Sequence, residues 1–554
     1  MQNLQKSSRR HFLQHTGVAL LAGFAAPRII QGMAVYERRM PSTTAARRST
    51  AAAWLPDPLP DAELRALALV AIDAARERGA EFADIRIGVQ RICDGTTAKL
   101  GFGYGIRARL GSAWAFEHGN VMSRDAIARS ARAAVVGARI AADVNTTLGW
   151  HAPEVSTPAP VVTGAWSTPV EIDPFSVPLD EYQVVANRVD EAVREYGFFR
   201  GAQSQLIWTH ELRVLASTEG TVVTQSFTRG GPKTNVQASL WHNQEIWVPI
   251  TMPGGQSGGF ELAVRPDWEQ RVLQQVEELS RWRELPTKRF DDVGRFPLVL
   301  DGRAFSALIG QTLNFALDGD RVMGREADAS GLSFLRPLAP ASVPSSGELS
   351  PLLTITSDRA MPSSTAVRWD DDGVVATPST LVERGAVTDF HTTRDSAPWL
   401  APWYQQRRRT TTLPGRSMAP TPASLPLANG GHLHVASSTS RITEADLYRE
   451  MTHGFFIKGA EVTPSTNLSA GMLRPLIAAE IVQGKPVALI EDLWMSFTTL
   501  AMLKTGLAAL GDATTQGTDL GTTSKGMPWQ EMSNPITAPA ALCKQIDVIQ
   551  LPKS

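Results

Sequence analysis

The side chains most able to do chemistry sit at the end of an apolar run. The stretch Ala307–Leu335 reads ALIGQTLNFALDGDRVMGREADASGLSFL. Phe305, Leu308, Ile309, Leu313, Ala316 and Leu317 fall at i, i+3, i+4, i+8, i+11 and i+12, one stripe of a helix. Asp318, Asp320 and Arg321 leave the stripe for polar surroundings. Periodicity alone establishes a buried helix packed beside a strand, with charged groups at its far end.

Further candidates are single groups. His453, in MTHGFFIKG, is one imidazole, near the expected cleft. Cys543, in PAALCKQIDV, alternates within an apolar strand, where a small buried residue is expected. His432 and His434 share one face if their segment is a strand, but no third ligand stands nearby, and we read them as surface histidines. Arg407, Arg408 and Arg409 could hold a carboxylate or phosphate; a solvated loop fits them better. Gly101, Gly103 and Gly105 lack the strand–loop–helix unit that a nucleotide site needs. Gly415–Ala419 has a faint nucleophile-elbow pattern, but it lies in a Pro/Arg/Thr-rich stretch rather than between a strand and a helix.

The elements that must position these groups come from a chain of 554 residues, 43% hydrophobic and 20% charged, with a formal net charge of -1. That length suits two domains with appendages. The charge balance gives no footprint for nucleic acid or an anionic membrane surface. Two distant cysteines, Cys93 and Cys543, and no C-x-x-C argue against a structural zinc site and leave room for at most one disulfide.

The start, SSRRHFLQHTGVALLAGFAAPRII, joins a basic segment to an apolar run shorter than the ~20 residues of a spanning helix. Ser8-Arg9-Arg10-His11-Phe12-Leu13 is similar to a twin-arginine export signal, read here in preference to a flexible basic tail. Residues 1–34 are assigned to this signal, with cleavage near Ala26 or Ala34. Export to the periplasm or another extracytoplasmic space follows as an expectation. Residues 35–60 read as a linker, with order starting at Asp61.

From there the pattern is α+β. An N-terminal α/β-sheet domain is assigned to 61–290 and an antiparallel-sheet-rich C-terminal domain to 291–554. Helices are expected at 61–78, after the cap Ser123, at about 180–196 and at about 265–284. ADIRIGVQRI, GFGYGIRARLGSAWAFE and RFPLVLDG read as strands. Hairpin turns are expected at Ser217–Gly220, Arg384-Gly385 and Gln483-Gly484.

The motif stretch resembles a helix of the TldD/PmbA family, which reads H-E-x-x-x-H, a small residue, Leu, Glu, a small residue and Asp. WDDDGVVATPSTLVERGAVTDFHTTRDSA, from Trp369 to Ala397, resembles that family's D-D-E-G strand pair and the loop after it. EADLYREMTHGFFIKGAEV, AAEIVQGKPV and APAALCKQIDVIQL resemble its later segments, and ADIRIGVQRI and GYGIRARLGSAWAFE its opening strands. The order of these matches, from about Asp61 to Leu551, is what makes the resemblance specific.

The resemblance implies a metallopeptidase-related protein. Active members hold zinc through two helix histidines and a further ligand, with the glutamate taking a proton from bound water. Here the first His falls on Gly310, the Glu on Gln311 and the second His on Phe315. Glycine and phenylalanine cannot ligate, and an amide is no base. On an ideal helix, positions 310 and 315 also diverge by about 140°. The expectation is therefore a degenerate site without metal or other cofactor. Asp318, Asp320 and Gly331 persist as scaffold, with Asp318, Asp320 and His453 as substrate-cleft candidates. The resemblance further implies unfolded peptide as ligand and a family partner subunit that keeps H-E-x-x-x-H. The alternative is an active zinc peptidase using non-standard ligands.

Overall fold

The computed structural model describes residues 28–30, 32–39, 49–149, 157–196, 199–241, 244–251, 257–326, 332–336, 348–527 and 529–549. Arg9, Arg10, Ala26 and Gly331 lie outside them.

The fold is mixed α+β. In the first half, strands β1 (Arg28–Ile30), β2 (Met33–Arg39), β3 (Phe82–Cys93), β4 (Thr97–Leu110), β5 (Ala113–Gly119), β6 (Thr163–Ser167), β7 (Phe199–Ser217), β8 (Val222–Trp241) and β9 (Gln244–Thr251) form one sheet. Its order is β1-β2-β4-β3-β7-β8-β6, with β5 on β4 and β9 on β8. Every pairing is antiparallel except β6 with β8. Helices α1 (Asp61–Glu77) and α2 (Arg124–Thr147) pack on β3, β4, β5 and β7. Asp61 and Glu63 stand in the first turn of α1, where the helix dipole favours them, and Leu64, Leu67, Ala71 and Ala74 are its buried stripe. Ser123 caps α2 by accepting from the Ala126 N–H. Helices α3 (Leu179–Arg194) and α4 (Pro266–Arg283) pack on β7 and β8.

Strand β2 changes one expectation. Residues 35–60 read as a linker because their composition is polar and basic, yet Ala34–Arg39 pairs with Thr97–Phe102 of β4. Met33 and Ala34 are buried against the sheet. Order therefore begins well before Asp61, and a cleavage at Ala34 would cut through this strand.

In the second half, β10 (Thr287–Arg289), β11 (Gly294–Leu300), β18 (His453–Pro464), β19 (Ala470–Val482), β20 (Lys485–Glu491), β21 (Trp494–Thr498), β22 (Leu507–Leu510) and β25 (Ala541–Ile549) form a second sheet, in the order β10-β20-β19-β18-β11-β25-β21. Because β21 pairs with both β25 and β19, five of these strands close into a small barrel. A third sheet, β14-β13-β12-β17-β24-β23, comprises β12 (Ile355–Asp358), β13 (Ser379–Glu383), β14 (Ala386–Val387), β17 (His432–Val435), β23 (Gly517–Lys525) and β24 (Gln530–Ala538). A two-residue ribbon joins β15 (Ser417–Met418) to β16 (Leu427–Ala428). The turns Arg384-Gly385 and Gln483-Gly484 each carry two positive φ angles, the requirement of a two-residue turn that follows strand twist.

The motif helix, α5 (Gly302–Ile309), lies between the second and third sheets, against β18, β23 and β24. The stripe Phe305, Leu308, Ile309, Leu313, Ala316 and Leu317 is buried in the core that both sheets share.

Candidate functional site

Helix α5 starts where Asp301 accepts from the Ala304 N–H at 2.7 Å. The same oxygen accepts from the Gly459 N–H at 3.0 Å, which fixes the helix to β18. The helix does not run on as a regular α-helix. Residues Gly310–Asn314 form a π-turn, whose hydrogen bonds run from i to i+5. This changes the ideal-helix expectation, because a turn closed by i to i+5 bonds winds less per residue and brings positions 310 and 315 nearer to one face than the about 140° of an ideal helix.

Both positions are filled by packing. A Cβ on Gly310 would stand 3.1 Å from Ile536 Cγ1. Phe315 is 4% exposed and belongs to the core. Gln311 is half-buried and faces the third sheet, its amide nitrogen 3.6 Å from the Cβ position of Gly521 on β23. A hydrogen, a carboxamide and a phenyl ring do not fit a zinc ion. Among the described residues no group of three or more His, Cys, Asp or Glu side chains is placed to hold a metal.

Beyond the π-turn the chain builds a buried ionic cluster. Lys525, at the end of β23, is fully buried. Its ammonium donates to Asp318 Oδ2 at 2.5 Å and to the Ala428 carbonyl, with Glu326 Oε2 at 3.4 Å. Arg321 donates to both Glu326 oxygens, at 3.2 and 3.1 Å. The Phe315 ring lies beneath both cations, 5.2 Å from the Arg321 guanidinium carbon and 5.9 Å from Lys525 Nζ. Burial alone would lower the Lys525 pKa, but Asp318 and Glu326 outweigh it and hold the ammonium charged above its ordinary range.

Asp320 is different. Burial pushes its carboxyl up to about 6, with Asp395 and Glu326 adding to the rise against Arg325 and Lys525. It accepts from the Ala428 N–H at 3.3 Å. It lines a cavity of about 350 Å³ that also takes in Arg107, Trp114 and Phe116 from the first half and Arg325 and Asp395 from the second. Asp318 and Asp320 are thus brought together, one inside the cluster and one on the cavity wall.

His453 is not brought to them. It starts β18, bonded to Glu480 at 3.0 Å amid Phe290, Phe296 and Phe455. Cys543 is fully buried on β25 beside Leu298 and Leu507, and burial pushes its thiol up to about 12. Both cysteines are free. His432, buried, bonds Thr537, and His434 bonds Gln516. Arg409 bonds the Thr388 carbonyl and Arg407 stacks on Trp403, so this loop is only partly solvated.

Three features had weak signals in the sequence. Asn314 and His391 are fully buried, and both nitrogens of His391 and the Asn314 Oδ1 have no hydrogen-bond partner among the described residues. They close on Gly430, where a Cβ would stand 2.6 Å from His391 Nε2 and 2.7 Å from Asn314 Oδ1. Burial, then Arg416 and Lys525, keeps His391 neutral. Lys525 itself lies over 200 residues from Asp318. The acidic loop Asp370–Asp372 joins the two halves: Asp371 pairs with Arg213 at 2.7 Å and Asp372 with Arg107 at 2.6 Å. Only the D-D-D-G spacing marked that loop.

A second cavity, of about 660 Å³, opens at the start of α5, lined by Trp282, Arg303, Glu444, Tyr448, Lys458 and Gln516 among others. Strand β23 starts at its wall, and the turn after β23 sits at the 350 Å³ cavity. Along its length β23 pairs only with β24 among the described residues.

Comparison with known proteins bears on this geometry. Residues 293–550 match the family described as PmbA/TldA metallopeptidase C-terminal domain. No curated protein matches the chain. Three solved structures share the fold. A candidate modulator of a DNA gyrase from Thermotoga maritima aligns with a TM-score of 0.62 at 14% identity, over 87% of this chain and 99% of its own. TldE from Thermococcus kodakarensis gives 0.59 at 14%, over 86% and 99%. A candidate modulator of DNA gyrase from Bacteroides thetaiotaomicron gives 0.59 at 13%, over 88% and 99%. Residues 293–550 thus match the PmbA/TldA C-terminal domain, and the three structures show the fold.

Proposed function

We propose that this chain, whose second half matches the PmbA/TldA metallopeptidase C-terminal domain, binds extended peptide without a zinc centre of its own. It would act as the metal-less member of a pair or alone. The observation that carries this reading is the outer edge of β23, which pairs with no second strand among the described residues and meets α5 at Gly517, whose carbonyl accepts from Ser306. Nine residues of strand, about 30 Å long, run between two cavities, beside the helix whose general-base position is Gln311. An extended peptide added to that edge would hydrogen-bond to backbone, which gives affinity with little demand on sequence. Gln311 would contribute a donor and an acceptor where a glutamate would take a proton.

Peptide binding is tested by anisotropy titration of an unstructured labelled peptide. Gly521 and Thr522 are neighbours on β23, so their N–H groups point to opposite edges. Of Gly521→Pro and Thr522→Pro, the variant whose N–H faces the open edge should lose binding at least tenfold while keeping its melting point. Equal binding in both variants and wild type would remove the reading. Stoichiometric zinc in the purified protein, lost on mutating His453 or Cys543, would favour the active-peptidase alternative instead. A partner subunit carrying H-E-x-x-x-H, and export through the Arg9-Arg10 signal, belong to the same proposal.

A further inference from the structure

The cluster at the end of the motif helix has the composition of a cation site, and it already contains a cation. Two carboxylates and a carbonyl oxygen, from Asp318, Glu326 and Ala428, converge on one point. Such all-oxygen sets suit hard divalent ions such as Mg²⁺, Ca²⁺ or Mn²⁺. The point is taken by Lys525 Nζ, which donates to Asp318 and to the Ala428 carbonyl and stands 3.4 Å from Glu326. The side chains of Lys525 and Asp318 are each no more than 1% exposed. The ring of Phe315, at the position of the family's second histidine, turns its face to this ammonium.

We propose that the Lys525 ammonium is the built-in cation of this site, taking the electrostatic place of a bound metal ion among the oxygens of Asp318, Glu326 and Ala428. Lys525 also ties the end of the peptide-binding edge to the motif helix, to the Glu326 segment and to β16. It is a positioning residue. The inference goes beyond peptide binding and stands on the cluster geometry alone, so either can fail without the other.

Lys525→Ala should leave a cavity in which Asp318 has lost its hydrogen-bonded cation, with Arg321 at 3.8 Å, while Glu326 keeps Arg321. Breaking a buried pair costs several kcal/mol, which for a chain of 554 residues lowers the melting point by roughly 3–4 °C. Propylammonium at about 100 mM, or Mn²⁺ at about 1 mM, should restore at least half of that loss. Neither should shift the wild type by more than about 1 °C. A purely structural lysine would not predict rescue by two chemically unlike cations. If Lys525→Ala is not recovered folded, Lys525→Met is compared with Lys525→Met/Asp318→Asn. The double variant should melt higher than the single, since it removes the orphaned charge. The inference is overturned if neither cation rescues Lys525→Ala. It is equally overturned if the double variant melts no higher than Lys525→Met. Peptide titration on the same wild-type preparation reports the binding function separately.

Discussion

Replacing Phe315 is the most informative single perturbation of the motif helix. The ring is 4% exposed, packed in the core that the barrel shares with the third sheet, and it faces two cations. Phe315→Ala removes the ring and leaves a cavity between a rigid π-turn and buried side chains, which can collapse only partly. That term is about 3–5 kcal/mol. The lost cation–π contacts with Arg321 and Lys525 add roughly 0.5–2 kcal/mol. Phe315→Leu keeps most of the volume, so it should cost only the aromatic part plus repacking, about 1–2 kcal/mol. Against a typical total stability of about 5–15 kcal/mol, the alanine variant should sit near the edge of folding and the leucine variant should not. Urea unfolding followed by tryptophan fluorescence reads this, because Trp403 is fully buried in the same core. A cost under about 1 kcal/mol for alanine would refute the packing role. Equal costs for leucine and alanine would refute the separation of packing from the cation contacts.

Further outcomes follow from the same structure. Rebuilding the motif with Gly310→His, Gln311→Glu and Phe315→His should still give well under one equivalent of zinc by elemental analysis, because Ile536 crowds position 310 and Lys525 places a positive charge near position 315. Adding Ile536→Ala and Lys525→Met should raise that occupancy; no rise would mean the obstruction lies elsewhere. For pH, burial raises Asp320 to about 6 and Glu444 to about 7 in the folded state, above their unfolded values of about 4. The folded state therefore holds these protons more tightly, so their contribution is full below pH ~4 and is lost as pH rises to about 7. Asp320→Asn and Glu444→Gln should flatten the fall in melting point over that window; an unchanged slope would count against both shifts. Asp371→Ala should cost about 1–3 kcal/mol, measured by the same urea titration, because Arg213 keeps Glu211 but loses one of its two carboxylate partners and the Ala419 N–H loses its acceptor. Lysine at both Arg9 and Arg10 should retain the protein in the cytoplasm on cell fractionation, and unchanged export would exclude a twin-arginine signal.

Local pattern carried the elements well. The Arg384-Gly385 and Gln483-Gly484 turns, the Ser123 cap and the stripe from Phe305 to Leu317 all depend on residues within a dozen positions of one another, where spacing and backbone chemistry suffice. Strand β2 was hidden because a strand near the margin of a sheet can be polar along most of its length: Val35–Arg38 are only half-buried. The π-turn was hidden because one extra residue per turn barely disturbs an apolar stripe that is buried all round. The site's charges were hidden for a different reason. Lys525 reads as one lysine in a polar hairpin, and only the approach of β23 to the end of the motif helix shows that its ammonium is enclosed. The Asp318 and Asp320 side chains could be singled out, but not that one is neutralised and the other lines a cavity.

The acidic loop Asp370–Asp372 has a consequence for how the molecule can be divided. Strand pairing passes from the first sheet to the later ones between Thr251 and Thr287, so the topology offers a natural place to cut. Solvation does not respect that place. Arg107 and Arg213 belong to strands of the first sheet, yet each has a carboxylate partner beyond the cut, in Asp372 and Asp371. Separated fragments would each keep complete sheets while exposing surfaces of complementary charge where the intact chain has a buried seam. The halves should consequently behave as a split protein: poorly stable apart, and able to reassemble when mixed, at a rate that falls as salt screens the approach of the guanidinium groups to the acid loop.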